Sequence, residues 1–599
     1  MPTLLLRPNT FTSLSSNFRS LIHLSYRMTS SNVSSQAPTV NIDEAEECYS
    51  KLDLDFKSTK IAFKGKKTSE LIRGLIILPL CTVPALRKRE ERLMIGLKKV
   101  FGEKFYTKLL KLTFFGQFVG GETISEVQET MKRLKKCGMK SILDYCVESD
   151  ISSNNAGEKS AKGTVEDKKV GSVVDSATME KAGEFCAADY RKDFVSSRNN
   201  SSKKEVQFDK NCDVFCAGVD AATSSVGTSA INCVKLTALG RPQLLVKLTD
   251  LIVQSNNFYK TLVSPLWEDL LLDKIKNEEF LMKTKNHGIQ IDETMMQKWL
   301  KTVDFNVKAF GNLYDWRKLI KEYNHSDQIF QVYNAKTKKM ESLLSCLTET
   351  ESQETANMVN RIARTIEYGK KYNLCTVIDA EQTYFQPAIS KLAMTMMRKY
   401  NKENTLVFST YQAYLKSCLR DVELDLHLAK REDFRFGCKV VRGAYAEQER
   451  QRAADLNYND PINANIEATA EMYNRVMQRM IKECQERSPR SISVMAATHN
   501  EQSIKQVIEM MRKAKISPSS EIVSFGQLYG MCDQVSYSLA NAGYSVYKYV
   551  PYGPIDEVLP YLSRRAQENA SVLGKIKREV ILIFRELMRR TFTLNGRLG

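Results

Sequence analysis

From residue 230 onward, short apolar runs rich in β-branched residues recur, each followed by a longer segment with helical spacing. The runs are NCVKLTAL (232–239), CTVIDAEQT (375–383), TLVFSTYQAY (405–414), CKVVRGAY (438–445), ISVMAATHN (492–500), EIVSFGQLYGM (521–531) and YSVYKYVPYG (544–553). An earlier run, SILDYCVE (141–148), has the same character and brings the number of expected strands to eight. Regular strand–helix alternation implies a parallel sheet, and eight such units imply an α/β fold of the closed (β/α)8 TIM-barrel type. An open doubly wound sheet is the alternative. The chain contains no G-x-G-x-x-G or G-x-x-x-x-G-K-[ST] string, which weakens a nucleotide-binding reading of that kind.

Ahead of the first strand, residues 41–140 read as a helical region. Leu71, Leu75 and Leu78, then Phe105, Leu109 and Leu112, fall at i, i+4 and i+7. The string Phe115–Glu122 interrupts this pattern, and a new helix is expected from about Thr123. Residues 149–204 are rich in Ser, Asn, Gly and Lys and read as a low-complexity insertion in the barrel region (141–577). The gap between the second and third strands is too long for one crossover helix. The patterning of Glu278–Trp299 and Val303–Tyr323 predicts a helical insertion over 255–350. Residues 578–599 form a basic amphipathic tail.

Composition adds a compartment and a class of partner. The first 40 residues carry Arg7, Arg19 and Arg27 among Ser, Thr, Leu and Phe, with no acidic residue before Asp43. That is the signature of a mitochondrial transit peptide. The most apolar stretch, Leu71–Leu86, is interrupted by Arg73, Gly74 and two prolines and is too short to span a bilayer. A net charge of +18 over 599 residues points to an anionic partner, whether nucleic acid, acidic membrane or anionic substrate. No basic–aromatic repeat favours nucleic acid. Fourteen cysteines without a C-x-x-C pair and five scattered histidines predict reduced thiols and no metal site.

In a barrel, functional side chains sit where strands end. Those ends hold Lys235, Asp379 with Glu381, Gln412, Lys439 with Arg442, Gly443 and Tyr445, Thr498 with His499, Gln527, and Tyr549. So many polar and charged groups at buried strand ends suit an anionic substrate and a polyanionic cofactor. After the last strand, a helix expected to be capped by Asp556 carries Tyr561, Arg564, Arg565 and Glu568 on one face. Adjacent guanidiniums beside a tyrosine suit a small carboxylate. Each residue also has a plainer reading: Lys235 as a snorkelling lysine, His499 as a core histidine, Asp379 as a loop cap and Gly443 as a turn.

Four strings together resemble the proline dehydrogenase family: VIDAEQTYFQPAI, KVVRGAYAEQER with the following DPI, ATHN, and YVPYGPIDEVLPYLSRRAQEN. The resemblance runs from about Leu71 to Asn569 and leaves out the low-complexity stretch. It implies a flavoenzyme with FAD that oxidises L-proline to Δ1-pyrroline-5-carboxylate and passes electrons to ubiquinone. It further implies peripheral contact with the inner mitochondrial membrane from the matrix side, for which Val580–Arg590 is one candidate segment. Carried over by position, Arg564, Arg565 and Lys235 would meet the proline carboxylate, Tyr549 and Tyr561 its ring, and Asp379 would orient neighbours. Gln412, Lys439, Arg442, Gly443, Tyr445, Thr498, His499 and Glu568 would serve the cofactor, Glu568 from a supporting position. Lys439 stands where bacterial relatives often have arginine, which keeps the charge and loses the fork. A hydroxyproline dehydrogenase of the same family and a Schiff-base aldolase or lyase are the alternatives.

Overall fold

The computed structural model describes residues 42–81, 83, 99, 102–146, 201–262, 282, 289–291, 330–334, 339–342, 347–487, 491–571 and 573–595. The expected leader (1–40), residues 149–200 of the low-complexity insertion and the segment Val303–Tyr323 lie outside the described residues.

Eight parallel strands close into a barrel, each overlapping one of the eight runs predicted, with β1, β2 and β8 starting one or two residues earlier than expected. In chain order the strands of the fold are β1 (Lys140–Tyr145), β2 (Ala230–Val234), β3 (Ile289–Ile291), β4 (Phe330–Asn334), β5 (Lys339–Ser342), β6 (Cys375–Ile378), β7 (Val407–Gln412), β8 (Phe436–Val441), β9 (Ile492–Ala497), β10 (Val523–Leu528) and β11 (Val546–Tyr552). The barrel order is β1-β11-β10-β9-β8-β7-β6-β2, closed between β2 and β1. Its interior holds Ile142, Ile231, Cys233, Val377, Phe408, Met495 and Tyr547 as one apolar cluster. Side chains alternate along a strand, so the residues two further on share that inner face. Those residues include Asp144, Lys235, Asp379, Thr410 and Tyr549, with Ala497 the apolar exception. The strand period itself therefore stacks a polar layer on an apolar one. A much larger apolar core fills the space between the strands and their crossover helices.

A second core joins the two ends of the chain. Six helices matter below: α1 (Thr68–Leu80), α2 (Glu103–Leu112), α3 (Glu501–Lys513), α4 (Asp533–Asn541), α5 (Ile555–Ser571) and α6 (Leu573–Asn595). Leu71, Ile77 and Leu78 of α1, with Tyr106 and Leu110 of α2, pack with Ile555, Val558, Tyr561 and Leu562 of α5 and with Ile576, Leu582 and Ile583 of α6. A short helix, Phe114–Phe118, occupies the stretch expected to interrupt the helical region, and Phe115 and Phe118 join the same core. Gly530, after β10, keys this layer to the barrel. Its φ of +76° is one that glycine tolerates, and a Cβ there would lie 1.8 Å from the Gln117 carbonyl oxygen.

Three expectations need correction. The low-complexity insertion expected over 149–204 ends early, because Ser201–Val226 is one helix. The helical reading of Glu278–Trp299 fails at Ile289–Ile291, which pairs antiparallel with β4 in a small sheet completed by β5. Alternating apolar residues in a run of three satisfy a strand as well as a helix, and pairing decides. The last barrel strand runs through Pro551 to Tyr552, the proline carbonyl accepting from Gly120 N–H at 2.8 Å. Helix α5 then begins at Ile555, so Asp556 lies in its first turn instead of capping it. There it still complements the helix dipole.

The solvent side of the second core is unusual. Of the fourteen large hydrophobic side chains exposed among the described residues, nine belong to α1 and the residue Val83 beyond it, α2 and α6. On α6 they are Ile581, Phe584, Met588 and Phe592, a ridge at i, i+3, i+7 and i+11. Phe105 and Leu112, expected from spacing to face the core of α2, are also exposed, while Tyr106 and Leu110 are buried.

Candidate active site

The polar layer inside the barrel is a charge-balanced cluster. Lys235, just after β2, forms a buried ion pair with Asp144 of β1. Asp379, just after β6, is fixed by its backbone N–H on the Val234 carbonyl at 3.0 Å and forms a second buried pair with Lys439 of β8. Tyr549 of β11 lies between the pairs. Its hydroxyl donates to Asp379 Oδ2 at 2.7 Å, and Lys235 Nζ donates to the Tyr549 hydroxyl oxygen at 3.4 Å. Lys439 Nζ sits 5.1 Å above the Tyr549 ring.

Buried charges persist only when matched, and the proton equilibria reflect this. Burial pushes the Asp379 carboxyl up, but Lys439 and Lys235 outweigh it and hold the group at about 2. The Lys439 ammonium is penalised by burial, yet Asp379 raises it above its ordinary value. A Schiff-base nucleophile needs a neutral amine, so this pairing argues against the lyase reading. Burial, reinforced by Asp144 and Asp379, raises the Tyr549 phenol well above normal and keeps it a hydrogen-bond donor.

A second group forms beside β7, β8 and β9. Gln412 donates to the Glu381 carbonyl at 2.7 Å and to the Tyr414 hydroxyl at 2.8 Å, while its buried Oε1 has no hydrogen-bond partner. Arg442 donates to Thr498 Oγ1 at 2.9 Å and to Ser503 Oγ, in the first turn of α3, at 2.6 Å. Its guanidinium stacks 4.5 Å from the centre of the Tyr473 ring. Gly443 takes a φ of +85° and has open space where a Cβ would point. His499 Nε2 accepts from the Leu528 N–H at 3.0 Å, which ties the ends of β9 and β10.

The arginine helix closes the arrangement. Arg564 donates to the Tyr445 hydroxyl at 2.7 Å, joining α5 to the loop after β8. Arg565 is buried, its guanidinium 4.7 Å from the centre of the Tyr561 ring. Tyr561 itself lies within the second core. Glu568 belongs to α5, but its side chain lies outside the described residues.

Asp144 was not among the residues singled out from sequence. Its signal was a lone carboxylate in an otherwise apolar strand, SILDYC. Ser503 escaped too, because a serine in a helical first turn carries no mark of its own.

The model of a family described as proline dehydrogenase matches residues 127–578. This chain belongs to that family, and so to a family of oxidoreductases. A relative named "Proline dehydrogenase 1, mitochondrial" from Caenorhabditis elegans is 44% identical, with 91% of this chain and 90% of the relative covered. A "Hydroxyproline dehydrogenase" from Xenopus laevis is 30% identical, over 88% of this chain and 89% of that one. Proline utilization A (PutA) from Bdellovibrio bacteriovorus, in a crystal structure inactivated by N-propargylglycine, superposes with a TM-score of 0.47 at 14% identity. That match covers 88% of this chain and 41% of the longer bacterial protein.

Proposed function

We propose that this chain oxidises L-proline to Δ1-pyrroline-5-carboxylate in the mitochondrion, with FAD as its cofactor and ubiquinone as final acceptor. The observation that carries the reading is the paired, buried cluster around Tyr549, next to a helix that bears two arginines. The donor set suits a flavin dinucleotide. Gln412 has an unsatisfied buried acceptor for a ring N–H. Arg442, held at the start of α3 with Thr498, offers cationic and helix-terminal donors for a pyrophosphate. Gln412 and Lys439 would hold the ring, and Arg442, Thr498 and His499 the phosphates, with Gly443, Tyr445 and Glu568 nearby in the same role.

When bound, the flavin supplies the hydride acceptor that no side chain can provide. The residues do the rest. Arg564 and Arg565, with Lys235, clamp the substrate carboxylate and so fix the far end of the ring. Tyr549 and Tyr561 pack against the ring. Asp379, ionised at about 2, is too weak a base to deprotonate the substrate ammonium, so it orients Tyr549 and Lys439 instead. Tyr549 also crowds a 4-hydroxyl group, which favours proline over hydroxyproline.

Among the described residues no helix is long and apolar enough to cross a membrane. The reading therefore includes peripheral contact with the inner membrane from the matrix side. The exposed ridge of α6 supports it, flanked by the exposed Arg585 and Arg589. The decisive experiment is the visible spectrum of the purified protein. A flavin spectrum bleached by proline under anaerobic conditions is expected, and a colourless protein, or one indifferent to proline, overturns the proposal.

A further inference from the structure

The role of Asp144 is assigned by its neighbours. It sits on the inner face of β1, two residues beyond Ile142, in register with Cys233 of β2 and Pro551 of β11, and it is fully buried. One carboxylate oxygen takes the Lys235 ammonium, and the other accepts from Cys146 Sγ at 3.3 Å. Among the described residues, the groups facing Lys235 include Asp144 on β1, Cys233 on β2, Asp379 after β6, Lys439 on β8 and Tyr549 on β11.

Asp144, Cys233 and Asp379 bring three potential metal-ligand atoms within 4.8 Å of one another, but each carboxylate already holds an ammonium. Two lysines here pair with two aspartates. Without Asp144, Lys235 would lose the carboxylate it pairs with, and the Asp379 oxygens already serve Lys439 and the Tyr549 hydroxyl.

We infer that Asp144 is a positioning residue for proline oxidation: it keeps Lys235 charged and anchored beside Tyr549, leaving Asp379 to Lys439 and the tyrosine. The inference rests on the reading of Lys235 as a contact to the substrate carboxylate. A buried ammonium that loses its carboxylate has its pKa lowered. In Asp144→Asn, Lys235 then sheds its proton as pH rises, below its ordinary value of about 10.4.

The test compares flavin-loaded wild type, Asp144→Asn, Lys235→Met and the double variant by kcat/KM for proline across pH, with flavin content and Tm measured alongside. Asp144→Asn is expected to lower kcat/KM at least tenfold and to add an alkaline limb that wild type lacks. In the Lys235→Met background the same substitution should cost less than about threefold and add no limb. Asp144→Glu keeps the charge and should restore most of the pH profile, which covers the case in which the asparagine variant folds poorly. A wild-type profile in Asp144→Asn, losses that simply multiply in the double variant, or no recovery in Asp144→Glu would overturn the inference. Wild-type kinetics in Lys235→Met would instead remove the substrate contact on which it rests, and the inference with it.

Discussion

Replacing Tyr549 with phenylalanine removes one oxygen from the centre of the cluster and leaves the ring in place. That oxygen donates to Asp379 Oδ2 at 2.7 Å in a buried setting. A hydrogen bond to a charged group contributes about 1.5–3 kcal/mol, and deleting the donor strands a buried carboxylate oxygen. Asp379 retains Lys439 and a long contact from Thr410 Oγ1 at 3.5 Å, so the lower half of that range applies. If the carboxylate orients groups used in the transition state, the loss appears as about a 10- to 40-fold fall in kcat/KM for proline. A double-mutant cycle with Asp379→Asn separates this from general damage. The two substitutions should be coupled by about 1 kcal/mol or more, because each disables the same hydrogen bond. The assay is steady-state proline oxidation with an artificial electron acceptor, on protein of matched flavin content. Activity within about twofold of wild type, or losses that simply add, would refute the orienting role of the Tyr549–Asp379 contact.

Other consequences are as direct. Arg564→Met and Arg565→Met should each raise KM for proline about 100-fold through loss of a charge-assisted contact, measured by initial rates; wild-type KM in both would dismiss the carboxylate clamp. Glu579 of α6 is buried, and burial followed by the nearby Asp533 lifts its carboxyl from 4.5 to about 7. The folded state therefore binds the extra proton between those values, and stability falls as pH rises through that window, by about 3 kcal/mol in all. Glu579→Gln should flatten the change in urea midpoint between pH 5 and pH 8, and an unchanged difference would contradict the assignment. Phe584→Asp with Phe592→Asp, both on the exposed ridge of α6, should weaken sedimentation with anionic lipid vesicles at least tenfold without changing Tm. Undiminished binding would move the membrane contact elsewhere.

The barrel was readable because its eight strands are short apolar runs whose side-chain period is fixed by the backbone. The residues at their ends were readable because charge is rare in such places. What the sequence hid is mostly pairing. Asp144 belongs to its run by position and betrays itself only by its charge, and its meaning depends on Lys235, which arrives from another strand. Arg564 and Tyr445 each look suited to a ligand, yet no local pattern says that they meet. Spacing likewise identified α2 as a helix but could not say which stripe faces inward, since Phe105 and Leu112 are as apolar as the buried Tyr106 and Leu110. The small β3–β5 sheet eluded periodicity for a related reason, its longest strand having five residues.

The core that joins the two ends of the chain sets an order on the making of this protein. Gln117 Nε2 donates to the carbonyl of Gly530 at 2.7 Å across 413 residues of chain. The helix that bears Arg564 and Arg565 packs on side chains from the first fifth of the sequence. At synthesis rates of about 5–20 residues per second, the early helices wait about 20–80 s before their partners exist. Through that interval Leu71, Ile77, Phe115 and Phe118 can pack on one another and on Tyr106 and Leu110, but lack the α5 and α6 side chains that complete their core. The site proposed for the substrate is then completed last, by β11 and α5, the strand and helix that carry Tyr549, Arg564 and Arg565. Assembly of the fold and acquisition of activity become a single late event.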